Sequence, residues 1–275
     1  MLIDVNAYTG HWPFRQLKNN SCETRFQLMQ ASGIDISVIS NLNGVFYKNT
    51  QSANEELYDE LKSNSNFGNR IIPFAVINPI YSGWKDDLKK CIDKMGMRGI
   101  RLHPLYHRYD LKNSNCIELV KYVRDLNLPV ALSLRIVDSR ASSWMDVETE
   151  WSLKDILPII KEVPDAKYLI LNVVNSLQIP DGENENGMAT VRLDESEVQL
   201  LKKTNFLMDT SGRAMTDLDK MIALYGKEKF AYGSHSPILD NVTGLLRIES
   251  LRTEEADESV KNLLRFGNAK RFFNL

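Results

Sequence analysis

Strand-like and helix-like segments alternate eight times along these 275 residues, with only short runs rich in Gly, Pro, Asn and Asp between them and no linker. In the first segment Ile3, Val5 and Ala7 alternate with Asp4, Asn6 and Tyr8, a strand period with one polar face, and Gly10 ends it. Thr24 to Ser32 then spaces Phe26, Leu28, Met29 and Ala31 along a helical face, Gly33 stops it, and Ile34 to Ser40 reads as a second strand. Ser52 and Glu55 have the spacing of a helix start, with the helix running to Leu61. Strand patterns follow at Ile71 to Ile77, Ile100 to His103, Leu128 to Leu134, Tyr168 to Val174, Phe206 to Asp209 and Lys229 to Ser234. Helical spacing recurs at Trp84 to Met95, Asn115 to Leu126, Leu153 to Val163, Glu195 to Lys203, Leu218 to Tyr225 and Glu255 to Phe266, with polar loops at 135–150 and 180–187. This rhythm favours one (β/α)8 TIM barrel over residues 1–275, as a single domain, over two doubly wound domains.

Composition narrows the function. With 34 Lys+Arg against 36 Asp+Glu, nothing in the charge balance points to nucleic acid, and no apolar run reaches transmembrane length, so the expected partner is a small molecule. Homo-oligomerisation is compatible with the sequence. Three isolated cysteines without a CxxC pair fit buried free thiols in a reducing compartment, and the N-terminus lacks the pattern of a secretory leader; the expectation is a cytoplasmic protein.

Strand parity locates a candidate site. If the apolar faces of the strands meet the helices, Ile100 and Leu102 face out while Arg101 and His103 face in, and Val130 and Leu132 face out while Ala131, Ser133 and Arg135 face in. Leu169 and Leu171 oppose Ile170 and Asn172, Phe206 and Met208 oppose Leu207 and Asp209, and Tyr232 opposes Ala231, Gly233 and His235. Several strands therefore end on an inward polar side chain at the barrel mouth, where this fold places its ligands.

The order of Asp4-to-Gly10, Gly99-Ile100-Arg101-Leu102-His103-Pro104, Leu128-Pro129-Val130, Tyr232-Gly233-Ser234-His235-Ser236-Pro237 and Asn268-Ala269-Lys270-Arg271 resembles the amidohydrolase superfamily, in its amidohydrolase-related, metal-dependent hydrolase group. The resemblance spans the whole chain and implies the barrel. It also implies metal ligands at the ends of strands 1, 5, 6 and 8, namely a His-x-His pair, two further His and an Asp. Those positions here hold Asn6 and Tyr8, Ser133, Asn172 and His235. A catalytic zinc needs about three strong donors, and neutral Asn, Ser and Tyr are weak ones, so no metal or other cofactor is expected. The rival reading keeps zinc or another divalent metal with rearranged ligands, pairing His103 with His107 or His11 with His235.

For function, the first reading is a hydrolase or lyase of this superfamily acting on a small, anionic molecule without the usual metal centre. His103, His235 and Asp209 would carry the acid/base chemistry, and Asn6, Tyr8, Ser133, Arg135 and Asn172 would bind substrate. Arg135, two residues after Ser133, is the expected carboxylate anchor. The other readings are a metal hydrolase with rearranged ligands and a non-catalytic small-molecule binder that kept the fold. Bland roles compete at several positions: Arg15, Arg101 and Arg135 could pair with Asp4, Asp138 or Asp209; Asp209 is read as a partner for a mouth Arg or His; His11 and His107 are expected on solvated loops; Trp12, Phe14 and Tyr106 as packing under loops.

Overall fold

The computed structural model describes residues 1–137, 142–147, 149, 151–173, 193–211 and 218–275. The strands are β1 (Ile3–Thr9), β2 (Ile36–Asn41), β3 (Ile71–Pro73), β4 (Ala75–Val76), β5 (Ile100–Leu102), β6 (Pro129–Ser133), β7 (Lys167–Leu171), β8 (Asn205–Asp209) and β9 (Phe230–Ala231). All pairings between them are parallel and sequential. β3 and β4 are two halves of one stave that changes partner at Phe74: the Phe74 amide donates to Ile39 O at 2.8 Å, and the Ala75 amide to Gly99 O at 2.9 Å. The ring closes where the Val5 amide donates to Tyr232 O and the His235 amide to Asn6 O. Eight staves therefore form a TIM barrel of the expected α/β class.

Helices cover the outside: α1 (Cys22–Ala31), α2 (Asn43–Phe46), α3 (Gln51–Lys62), α4 (Trp84–Asp93), α5 (Pro104–His107), α6 (Ser114–Asp125), α7 (Leu153–Glu162), α8 (Glu195–Lys203), α9 (Leu218–Tyr225), α10 (Thr243–Glu249), α11 (Glu258–Asn262) and α12 (Asn268–Phe273). Capping boxes start α1 at Ser21, α7 at Ser152 and α8 at Asp194. The expected cap at Ser52 is not used; α3 starts at Gln51 after Thr50, without a side-chain cap bond. The final helix expected over Glu255 to Phe266 is α11 continued by a π-helical turn, Leu263–Gly267, into α12. The expected loop at 180–187 lies outside the described residues.

The apolar residues divide as the barrel requires. Ile100, Leu102, Val130, Leu132, Ile170 and Met208 pack outward against the helices. Val5, Phe74, Ala131, Leu169 and Leu207 fill the interior, which Phe272 and Phe273 of α12 plug at the end opposite the mouth. Phe74 takes so much of that interior that a Cβ at Gly99 would sit 2.3 Å from its ring, which explains the glycine. In β7 the expected parity is reversed: Leu169 and Leu171 point inward and Ile170 outward. Cys22, Cys91 and Cys116 are buried and free, and burial pushes the thiols of Cys91 and Cys116 up to about 12. Among the described residues no helix is long and apolar enough to cross a membrane.

Candidate functional site

A break in β1 sets the chemistry of the mouth. Its register with β2 shifts between Asp4 and Ala7, as a bulge does, so the polar residues of this strand do not share one face. Val5 faces the interior, Asn6 enters the mouth, Ala7 packs outward with Phe26, and Tyr8 turns in again. Asp4 falls on the other side and pairs with Arg25 of α1, with Ser234 also donating to it. The expected Asp4–Arg101 pair is therefore replaced by Asp4–Arg25. The cause is the bulge, which parity counted along an unbroken strand cannot include.

Asn6 is the hub of one half of the mouth. Its Nδ2 donates to Asp209 Oδ2 at 2.7 Å and to His235 Nδ1 at 2.9 Å, while its Oδ1 accepts from Arg101 Nη1 at 3.1 Å. The cation on the oxygen side and the carboxylate on the nitrogen side fix the amide orientation. His235 Nε2 lies 2.6 Å from Ile136 O, so the proton sits on Nε2 and Nδ1 is the acceptor for Asn6. Burial drives the His235 pKa down to about 3; the Ile136 hydrogen bond opposes this, and the charges of Arg101 and Arg135 add to it. The ring is neutral at physiological pH with both nitrogens occupied.

Asp209 is equally enclosed. Oδ1 accepts from the Asn172 amide at 2.7 Å, and Oδ2 accepts from Ser211 Oγ as well as from Asn6. Burial raises its pKa, against the pull of these hydrogen bonds, with the Asp4 charge adding to the rise. A Cβ at Gly233 would lie 2.5 Å from Asp209 Oδ2, so glycine there makes room for the carboxylate. Asn172 has φ 54°, and this left-handed residue brings its side chain back to the mouth despite the reversed parity of β7. Its Nδ2 donates to Arg135 O at 3.2 Å. The expected direct partner of Asp209, an Arg or His, is replaced by Asn6, which stands between Asp209 and both Arg101 and His235.

The other half, at the exits of β5 and β6, is differently made. His103 is buried, and neither ring nitrogen has a hydrogen-bond partner among the described residues. Burial lowers its pKa well below the usual histidine value, with the charges of His107, Arg101 and His235 acting the same way. His103, Tyr106, Ser133, Arg135 and Ile136 line a cleft of about 10 Å³, room for roughly one water. Arg135 is 5 % exposed and borders this cleft rather than bulk solvent. Tyr8 Oη lies 3.3 Å from Ser133 Oγ, and the Arg101 guanidinium carbon 4.2 Å from the centre of the Tyr8 ring. Trp12, Phe14 and Tyr106 pack with Tyr8 and Ile136 over this side, as expected.

His107 is a correction: it is buried on α5, a single helical turn that follows His103, and its Nε2 donates to Gly44 O at 2.9 Å. Arg15 donates to Ile238 O at 2.7 Å, and His11 is exposed. At the positions where the resemblance implies metal ligands, His235 has no free nitrogen, the Asn6 amide is committed on both sides, Tyr8 and Ser133 contact each other, and the one atom open among the described residues, Asn172 Oδ1, is a neutral amide oxygen and a weak donor. Among the described residues no group of three or more His, Cys, Asp or Glu converges as a metal site would require. The donor set does not fit a divalent metal.

Sequence comparison with family models and with curated proteins gives no match. Comparison with solved structures does. A dihydroxybenzoic acid decarboxylase from Polaromonas sp. JS666, with bound manganese and the inhibitor 2-nitroresorcinol, superposes with TM-score 0.69 at 14% identity, over 100% of this chain and 97% of that one. A Staphylococcus aureus protein assigned by inference as an amidohydrolase gives 0.69 at 15% identity, over 100% and 99%. The 4-oxalomesaconate hydratase of Rhodopseudomonas palustris gives 0.66 at 17% identity, over 100% and 96%. The likeness shows the fold, a TIM barrel. At these identities the likeness establishes the architecture, and the activity has to come from the mouth.

Within this barrel, all eight residues chosen from sequence lie at or around the mouth, in two groups. Asn6, Asn172, Asp209 and His235 form the bonded group, in which Asn172 Oδ1 alone lacks a partner among the described residues, while Tyr8, His103, Ser133 and Arg135 surround the cleft. Ser211 was missed as the second side-chain donor to Asp209, although its place two residues beyond Asp209 on the same parity was a usable signal. The Ile136 carbonyl that fixes the His235 tautomer carries no signal in side-chain chemistry.

Proposed function

We propose that the mouth binds a small carboxylic acid on the β5–β6 side, where the cleft widens beyond its present room for about one water to admit it, and acts on it as a hydrolase or lyase without a metal. The observation that carries this reading is His103: a buried imidazole with both nitrogens unpartnered, on the cleft that Ser133 and Arg135 also line. In it Arg135 holds the carboxylate through its planar donors, Ser133 and Tyr8 orient it, and His103 exchanges a proton with substrate or water. A bound carboxylate places negative charge near the ring, favours the imidazolium and raises a pKa that burial has depressed. Asn6, Asn172, Asp209 and His235 act as positioning residues behind the site. Solved structures of like fold include a decarboxylase for a hydroxylated aromatic acid and a hydratase, which supports small anionic substrates. The manganese in one of them is not transferred here, because the donor set does not suit it.

A second reading, a binder without turnover, is favoured by one observation: His235 and Asp209 have their hydrogen-bonding capacity met inside the protein. Chelator-treated protein screened against lactones, amides and carboxylic acids separates the two. Turnover that His103→Gln lowers by about 100-fold, the scale of lost acid/base catalysis, with carboxylate affinity retained, supports the enzyme. Carboxylate binding with no turnover on any of these classes decides for the binder. Protein purified without chelator should carry well under one divalent ion per chain by elemental analysis; one tightly held ion per chain defeats the metal-free reading.

A further inference from the structure

The end of the barrel opposite the mouth carries a cavity of about 380 Å³. One water needs roughly 10–15 Å³ by the same measure, so this cavity takes a small molecule as it stands. It lies between the first residues of β7 and β8, the turn before β9, and α12. Three cations line it, Lys167, Lys229 and Arg271, against one acid, Glu228, and the rings of Phe206 and Phe272 are part of its wall. None of the three cations forms an ion pair among the described residues.

The cations also keep hydrogen-bonding capacity. Lys229 Nζ, 4.6 Å from the centre of the Phe206 ring, gives one of its donors to Thr204 O at 2.6 Å. Arg271 uses Nη2 on Glu228 O and Asn268 Oδ1, both at 3.0 Å, which leaves Nε and Nη1. Burial lowers the pKa of Lys229, the Arg271 charge adds to this and Glu228 opposes it; burial lowers Lys167 as well. Like charges gathered on one concave wall without counter-ions raise the positive potential there, and an anion relieves it. We propose that this cavity is a binding site for a small phosphate monoester, its phosphate met by Lys167, Lys229 and Arg271 and its organic group lying along Phe206 and Phe272. Three cations less one carboxylate leave two charges to balance. A monoester carries about −1.5 to −2 at neutral pH with three acceptor oxygens, whereas a single carboxylate carries only half the charge needed. The Arg fork and the Lys point charges both suit phosphate. Because the site is at the base of the barrel, its occupant is a different molecule from that of the His103 cleft.

The test is a calorimetric titration of phenyl phosphate, inorganic phosphate and phenol at about pH 7.5, where the monoester is a dianion. The lysine Cε–Hε signals are followed in protein carrying 13C-labelled lysine, with those of Lys167 and Lys229 assigned by their loss in Lys167→Gln and Lys229→Arg. Phenyl phosphate should bind more tightly than inorganic phosphate, phenol should not bind, and both lysine signals should move. Lys167→Gln and Arg271→Gln, which remove no ion pair, should each weaken binding about tenfold or more, the scale of one charge-assisted contact. Arg271→Lys should restore part of it, and Arg135→Ala should leave it unchanged. Binding that Arg135→Ala abolishes and Lys167→Gln leaves intact belongs to the mouth; it overturns the base site and leaves the proposed function standing. Phenyl phosphate binding no more tightly than inorganic phosphate overturns the monoester, and unmoved lysine signals overturn the site. Capture of a single-stranded oligonucleotide that phenyl phosphate cannot displace makes the base a polyanion surface and likewise overturns it.

Discussion

The two halves of the mouth were assembled from the same residue types and came out differently. On the β8–β9–β1 side every ring nitrogen of His235 and every oxygen of Asp209 has a partner, and Asn6 bonds in three directions. On the β5–β6 side His103 has none, and two nitrogens of Arg101 are open. A satisfied polar network fixes a structure, whereas buried polar atoms left open mark where a partner from outside is received. The difference teaches that a histidine at a position where the resemblance implies a metal ligand need not be the reactive one. In this barrel His235 is a strut, and the available imidazole is His103.

The comparison can be broken first through stability. Asp209→Ala should destabilise the protein by about 3–5 kcal/mol, because it leaves the Asn172 amide, Asn6 and Ser211 with buried unmet donors and Arg101 without its relayed counter-charge. Urea unfolding measures this, and a loss below about 1 kcal/mol would mean that the closed half is not structural. Next in size is binding on the open half. Arg135→Ala should weaken carboxylate affinity by about 1.5–3 kcal/mol in a titration, as expected for loss of a charge-assisted contact. Equal affinity in the two proteins would move the anchor elsewhere.

A smaller effect is read from pH. His235 titrates at about 3 when folded and near 6.5 when unfolded, so between these values the unfolded chain binds the extra proton. Its contribution to stability is therefore complete above about pH 6.5 and lost at about 1.4 kcal/mol per pH unit on acidification towards 3. His103, also lowered, acts in the same sense. Asp209 acts oppositely: its folded pKa is raised, so its contribution is present at low pH and is lost as pH rises through the folded value. Unfolding curves from pH 7 to 5 should show the histidine slope, and His235→Gln should flatten it; an unchanged slope would contradict a buried neutral His235.

Much of this could be read in the sequence, and the remainder failed for identifiable reasons. The barrel was legible because its eight strand periods and intervening helical faces are local patterns, and helices such as α8 and α9 fall at the expected residues. The inward positions of Arg101, His103, Ser133 and Arg135 followed from straight strands on which period two holds. Parity failed at β1, where a bulge separates Asp4 from Asn6, and at β7, where both faces are apolar and hide the period; left-handed Asn172 then undoes the reversal. The burial of His107 depended on Gly44, a contact 63 residues away that no local pattern encodes.

The most direct measurement is a long-range 1H–15N spectrum of the histidine rings during titration of chelator-treated protein with malonate. The account predicts that the His103 resonances move towards the imidazolium pattern while those of His235 stay those of a neutral ring protonated on Nε2. Movement of His235 with His103 unchanged would place the ligand on the closed half and contradict the account.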